Sequence, residues 1–284
     1  MDGRSRLRRR REGRDRRRMR ARYFAIALFL VFGASFALAQ SQGQSQRGSG
    51  ADTRRSGYQD MGPALQQMQD DDTANPGMLF VQQGSKLWSA RVGVAGKACA
   101  DCHGDAATSM KGVAARYPAI PPGADRPVDL EGRIDLCRTE RQQAPAFAHD
   151  SQDSLALQAF VAAQSRGQPI APPDDPRLSS WRVQGEEIYR RRQGQLNLSC
   201  AICHDENAGK KLAGVTIPQA HPTGYPVYRL EWQGLGSLRR RLRNCLFGIR
   251  AELYPVGAPE YVALELYLME RAKGMTMEAP AVRP

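Results

Sequence analysis

Aromatic side chains are scarce in this 284-residue chain, at 7% of the total. The length is enough for two domains of ordinary size, so cores this poor in aromatics imply filling by something other than side chains. Also lacking, beyond one N-terminal run, is any apolar segment able to span a bilayer. Charge of one sign is lacking too once the N-terminus is set aside. The formal net charge is +12, but residues 1–39 hold 12 arginines against 3 acidic residues, which leaves 29 basic and 26 acidic groups in the rest. A nucleic-acid footprint needs a basic excess on the folded part, so that partner class is set aside.

The arginine block runs directly into the apolar stretch from Tyr23 to Ala37, and Ala37-Leu38-Ala39 then places small residues before Gln40. Basic region, apolar region and small-residue site together read as a cleaved secretory signal over 1–39. The periplasm is the expected destination, with an uncleaved anchor helix as the alternative. Residues 40–57, rich in Gln, Ser and Gly, read as a disordered tether.

Six cysteines in an exported chain would ordinarily suggest three disulfides. Four of them instead form two C-x-x-C-H motifs, Cys99/Cys102/His103 and Cys200/Cys203/His204. That motif is the signature of covalent haem c attachment. Two thiols at i and i+3 share a helical face and can add to both vinyl groups of one porphyrin, while the adjacent histidine ligates the iron from one side. A zinc site would need two further ligands per motif, and each half of the chain offers one more cysteine, Cys137 or Cys245.

The motifs belong to a longer repeat. Phe80, Gly84, Leu87, Trp88 and Gly93 match Trp181, Gly185, Ile188, Tyr189 and Gly194 at the same offset of 101 that relates the two haem motifs. Arg133 to Cys137 matches Arg241 to Cys245 at 108, and the last helices match at 107. Each copy reads as a first helix with one apolar face, a haem motif, a long Gly- and Pro-rich wrap and a closing helix. The glycine in each first helix would let another helix approach closely. The expected fold is mainly α: two tandem cytochrome c-like domains related by internal duplication, with long irregular loops. Residues 58–168 form the first, 169–177 a proline-rich linker and 178–284 the second.

The ligand opposite each histidine is left open by the motif. Methionine is the usual donor, and Met110 is available in the first copy. The second has no methionine between His204 and Leu268, leaving Met269, Met275 and Met277. Cys137 and Cys245 occupy equivalent positions, and a thiolate is a strong, soft donor that holds ferric iron. Buried free thiols or a Cys137–Cys245 disulfide are the alternatives. An arginine four residues earlier, Arg133 or Arg241, shares the helical face of each cysteine, where it lowers a thiol pKa and attracts an anion. Around Cys245 stand Arg239, Arg240, Arg243 and Arg250 as well. Around Cys137 the arginines are offset by Asp129, Glu131, Asp135 and Glu140. The second copy therefore looks like a site for a small anion, the first like an electron relay or a structural relic. His149 reads as a surface residue and His221 as a packed loop histidine, with a competing distal ligand as the alternative for His221.

From about Met78 onward the chain resembles the SoxA family, the dihaem subunits of the SoxAX complex of bacterial thiosulfate oxidation. The stretches that carry the resemblance are Gly224-Tyr-Pro-Val-Tyr-Arg-Leu230, Gly236-Ser-Leu, Arg241-Leu-Arg-Asn-Cys245, Arg250-Ala-Glu and Glu265-Leu-Tyr-Leu. The resemblance implies two covalently bound haem c groups, ligated by His103 with Cys137 and by His204 with Cys245. It implies an L-cysteine S-thiosulfotransferase that joins thiosulfate to a cysteine of the SoxYZ carrier. Two electrons pass through haem to the monohaem partner SoxX, in a heterodimer, and then to a small cytochrome. It further implies that Cys245, which in the family can be a persulfide, marks the active site, with Arg241 as the substrate-binding arginine. The reading of different class is a dihaem electron-transfer cytochrome without chemistry of its own, its thiolates merely setting the potential. A dihaem peroxidase, a third reading, would need an open or displaceable position at one haem.

Overall fold

Local sequence decides where the helices begin and end. The computed structural model describes residues 52–284, so the expected signal and most of the tether lie outside the described residues. The helices are α1 (Pro63–Asp70), α2 (Gly77–Ser89), α3 (Cys99–His103), α4 (Ala106–Ser109), α5 (Leu130–Cys137), α6 (Gln152–Ala163), α7 (Ser179–Arg190), α8 (Leu238–Gly248) and α9 (Pro259–Arg271). Side-chain oxygens of Asp129, Ser151 and Ser237 accept from the first-turn amides of α5, α6 and α8, which satisfies donors that a helix start leaves open. Pro259 opens α9, where its missing N–H costs nothing. Gly167 and Gly274, at φ 79° and 84°, turn the chain away after the two closing helices.

The glycine of each first helix sets the packing of its copy. A Cβ on Gly84 would stand 2.1 Å from the Ala156 carbonyl oxygen of α6, and one on Gly185 2.1 Å from that of Ala263 on α9. The expected close approach is therefore present twice, as α2 against α6 and α7 against α9. A second glycine pair fixes the loop before each haem motif. Gly93 and Gly194 take positive φ, and a Cβ there would meet the Gln142 or Ile249 carbonyl oxygen at 2.1 or 2.2 Å. Backbone hydrogen bonds from Val94 and Ala95 to Gln143 and Gln142, and from Gln195 and Leu196 to Arg250 and Ile249, complete each clamp. Each clamp ties the C-x-x-C-H loop to the segment that follows Cys137 or Cys245.

The two copies meet across a pseudo-twofold axis. Gly167 N donates to Met277 O, and Gly274 N to Ile170 O; Ile170 N donates to Met275 O, and Met277 N to Gln168 O. Each bond is its partner's image at the 107-residue offset, and Pro169 bridges its own counterpart Thr276 at the centre. Self-pairing of equivalent positions is the mark of an isologous contact. Nearby, Arg239 forms ion pairs with its own equivalent, Glu131, and with Asp129. Ala162, Ile170, Met269, Ala272 and Met277 fill the apolar part of this seam. Residues Arg54–Pro284 form one compact unit.

Short strands elaborate the second copy. β1 (Lys211–Leu212) and β2 (Val215–Thr216) form a hairpin. β3 (Val227–Arg229) pairs antiparallel with β4 (Gly234–Gly236) and parallel with β5 (Ala281–Arg283), in the order β4-β3-β5. The first copy has a single bridge, Ala119 with Val128, where β3 and β4 would fall. Among the described residues no helix is long and apolar enough to cross a membrane.

Candidate functional site

In the first copy, Cys99, Cys102 and His103 lie on α3, and Cys137 ends α5. Cys99 is near enough to Cys137 and Arg138 for their charges to act on it, and burial is the larger effect, raising its pKa. Tyr117 lies beside Arg133 and Cys137; burial, the largest cause, raises its pKa and holds its hydroxyl in the neutral form. Met110 is buried beside Trp88, Ala106, Leu157 and Val161.

The second copy repeats this constellation. Cys200 opens a helical turn that widens over Ile202–Glu206 and carries Cys203 and His204. Cys245 and Arg241 lie one turn apart on α8. Cys200, Cys203, Arg241 and Tyr225 all sense the charge on Cys245. Burial opposes the charge of Arg241, but Cys245, Tyr225 and Glu231 together outweigh it and raise its pKa. Met269 and Met277 belong to the seam core, with Met275 against it, and not to the cluster that packs Cys200 and Tyr225. None of the six cysteines is in a disulfide, so Cys137 and Cys245 are not joined. A symmetric interface exists, as such a disulfide would require, but Glu131 and Arg239 occupy it.

His204 is fixed by a contact that no motif announces. Its Nδ1 lies 2.7 Å from the Pro218 carbonyl oxygen. A carbonyl can only accept, so Nδ1 carries the proton and Nε2 keeps its lone pair. This is the arrangement that orients a metal-ligating imidazole. Burial, the larger cause, lowers the pKa of His204 and keeps the ring neutral. Beside it Asp205 accepts from Tyr189 at 2.8 Å and from Arg271 at 2.7 Å. A cavity of about 260 Å³ adjoins His204, Asp205, His221 and Arg271. His221 Nδ1 stands 2.8 Å from the Arg55 carbonyl oxygen, and His149 Nδ1 stands 3.3 Å from Glu131. Both are therefore engaged in local contacts.

Sequence reasoning passed over Tyr117 and Tyr225. They precede cis prolines, Pro118 and Pro226, and stand at the same 108 offset as the Arg/Cys blocks. That shared offset was the signal that could have found them. The Pro218 contact had no signal, because any residue supplies a carbonyl.

The L-cysteine S-thiosulfotransferase subunit SoxA of Pseudaminobacter salicylatoxidans is 42% identical to the chain over 214 residues, 75% of each protein. That of Rhodovulum sulfidophilum is 39% identical, covering 82% of this chain and 81% of its own. A family model for the SoxA/TsdA cytochrome c domain matches twice, over residues 83–170 and 184–277. The chain belongs to the SoxA family. The crystal structure of SoxXA from P. pantotrophus superposes with a TM-score of 0.78 at 32% identity, covering 81% of this chain and 87% of that one. The fold expected for a SoxA member, mainly helical with two cytochrome c domains, is thus borne out.

A cytochrome c domain implies covalently bound haem c, and the donor sets fit it. Burial pushes the Cys200 thiol up to about 12, with Cys245 adding to the effect, and raises Cys99 and Cys203 in the same way. Such half-buried surroundings penalise a charged sulfur at these positions. A thioether is neutral and suits them. The histidine with its oriented lone pair and the cysteine with its neighbouring cation then supply two donors of different character.

Proposed function

We propose that this SoxA-family chain is the catalytic subunit of an L-cysteine S-thiosulfotransferase, with two haem c groups. Cys99 and Cys102 would attach the first, with His103 and Cys137 as donors to its iron. Cys200 and Cys203 would attach the second, with His204 and Cys245 as donors. The partner is a monohaem SoxX cytochrome, a reading supported by the likeness to the SoxXA complex of P. pantotrophus. The protein substrate is the SoxYZ carrier, the electron acceptor a small cytochrome, and the compartment the periplasm. No nucleic acid takes part.

In this reading, a thiolate of the carrier and the outer sulfur of thiosulfate form one S–S bond. Charges of −1 and −2 become a product of −1, and two electrons leave. When bound, haem accepts electrons one at a time and passes them on. The chain's own residues solve the electrostatic problem. Arg241, half-buried and charged, offsets the dianion as it nears another anionic sulfur. Tyr225 sits beside the same cation and offers a neutral hydroxyl. Cys245 lies one helical turn from Arg241, on the same helix face.

The observation that carries the proposal is the pairing of Cys245 with a half-buried, charged Arg241 in the copy whose surroundings are basic. The test replaces Cys245 by Ser and Arg241 by Ala in the assembled complex and measures thiosulfate-dependent electron flow with SoxYZ present. Both variants are expected to lose turnover. Intact turnover in both would leave an electron carrier without chemistry of its own. Mass spectrometry of the mature protein would count the haems, locate the cleavage site and weigh any extra sulfur on Cys245.

A further inference from the structure

The second copy holds a further guanidinium near Arg241 that the first copy does not have. Arg229 ends β3. Its Nη2 donates to Glu231 at 3.0 Å. Arg229 is 13% exposed, whereas Glu231 is 63% exposed on the rim. The Arg229 Nε is buried without a partner, and a buried donor left unsatisfied is costly. The Arg229 guanidinium lies 5.2 Å from the centre of the Trp232 ring, and that of Arg240 lies 4.4 Å from it. Trp232 is itself held in place, since a Cβ on Gly236 would fall 2.3 Å from its ring. Arg229 is close enough to Arg241 for that charge, after burial, to lower its pKa, and Tyr225 lies within reach of both. Two neighbouring, half-buried guanidiniums favour an anion with more than one charge.

The duplication supplies an internal control. Residues 117–137 and 225–245 align without a gap. Tyr, Pro, Arg and Cys recur at 117, 118, 133 and 137 and at 225, 226, 241 and 245. Arg229, Glu231, Trp232 and Arg240 answer instead to Pro121, Gly123, Ala124 and Gly132. The residues that recur build the framework common to both copies; this group of four serves something found in one copy only.

We propose that Arg229, held against Trp232, is a second substrate-binding residue of the Cys245 pocket, that it grips a divalent sulfur-oxo anion together with Arg241, and that Glu231 is the counterion this anion displaces. The inference rests on reading the pocket as the thiosulfate site. It explains how a dianion is held without any step at the reacting sulfur.

The test uses the haem-loaded complex with its monohaem partner. Thiosulfate binding to the oxidised complex is measured by calorimetry without carrier, and turnover with carrier. Arg229→Gln is expected to raise the thiosulfate Kd and KM by roughly tenfold or more, the loss of a charge-assisted hydrogen bond. Its kcat should stay within about twofold, because the contact is the same before and during reaction. Glu231→Gln should shift both constants the other way, by roughly threefold. An unchanged thiosulfate Kd in Arg229→Gln, weaker binding in Glu231→Gln, or a KM change confined to the carrier would overturn the assignment. If Arg229→Gln fails to load haem, Glu231→Gln decides alone, since its side chain is on the rim. A wild-type complex with no thiosulfate turnover would sink the proposed function; a wild-type KM in Arg229→Gln beside an active wild type sinks the Arg229 assignment alone.

Discussion

The two copies share a skeleton and differ in the charge they build on it. Both cross two helices over a glycine, clamp the C-x-x-C-H loop with a second glycine, and set a Tyr, an Arg and a Cys around it. Along the helix bearing the distal cysteine, however, Glu131, Gly132 and Asp135 of the first copy become Arg239, Arg240 and Arg243 in the second. Asp135 turns inward to accept from the Phe147 amide at 3.0 Å. Arg243 instead donates to the Tyr254 carbonyl at 2.8 Å and lies over the Tyr261 ring. The lesson is that duplication separates two requirements. Residues kept in both copies build a common framework around the C-x-x-C-H motif, and residues present in one give its surroundings their positive charge.

The largest effect is expected where the copies meet. Glu131 and Arg239 are buried, at 3% and 5% exposure. Removing one partner of a buried pair strands the other, at about 3–5 kcal/mol. Glu131→Gln should therefore lower stability by that order in a denaturant titration. A loss no larger than that of a surface substitution would show that the charge swap at the axis does not hold the copies together.

Next comes the comparison of equivalent arginines. Arg241→Ala should reduce thiosulfate turnover by about a hundredfold or more, the scale for losing a preorganised charge partner. Arg133→Ala should change it by less than about threefold, or roughly 0.7 kcal/mol. Equal losses would erase the functional distinction between the copies.

Smaller, and deliberately alike, are the glycine substitutions. Gly84→Ala and Gly185→Ala each force a methyl into a carbonyl oxygen at 2.1 Å and should cost about 1–3 kcal/mol each. Thermal unfolding should show comparable falls of about 3 °C per kcal/mol. A marked inequality would mean that the skeleton is not equivalent in the two copies.

Much of this was legible in the sequence, for identifiable reasons. The C-x-x-C-H motifs, the helix glycines, the Ser151 cap and the Gly167 and Gly274 stops are local signals read by counting. The pairing of Cys137 and Cys245 with their own motifs followed from offsets within a repeat. What could not be read was how the copies pack. Pro169 to Pro176 looks like a linker by composition, yet Ile170 is 1% exposed and hydrogen-bonded to Met275. Its burial depends on a partner strand more than a hundred residues away. The Arg229–Trp232–Arg240 stack was hidden for a similar reason, since β3, the turn after it and α8 bring those side chains together only in three dimensions.

The smallest expected effect concerns Glu265, and it sharpens the comparison because its equivalent in the first copy is Gln158. Both line a cavity of about 50 Å³ at the seam, together with Tyr117, Tyr225, Glu131 and Arg239. Gln158 donates to Ser154 at 3.0 Å and carries no charge. Glu265 has its pKa raised from 4.5 to about 8, first by burial and then by Asp129, against the opposing pull of Arg239. A carboxyl with a raised folded-state pKa binds more protons folded than unfolded between those two values, so its contribution to stability falls as pH rises through that window. Below pH 4.5 both states hold the proton and the penalty vanishes; above about pH 8 both have lost it and the penalty is complete. Glu265→Gln, which makes the second copy like the first, should therefore raise Tm at pH 8.5 by about 3 °C for each kcal/mol relieved, and leave it unchanged near pH 4. Thermal scans across that range decide the matter. A gain of equal size at both ends would come from packing, and the seam would then be asymmetric in shape and not in proton affinity.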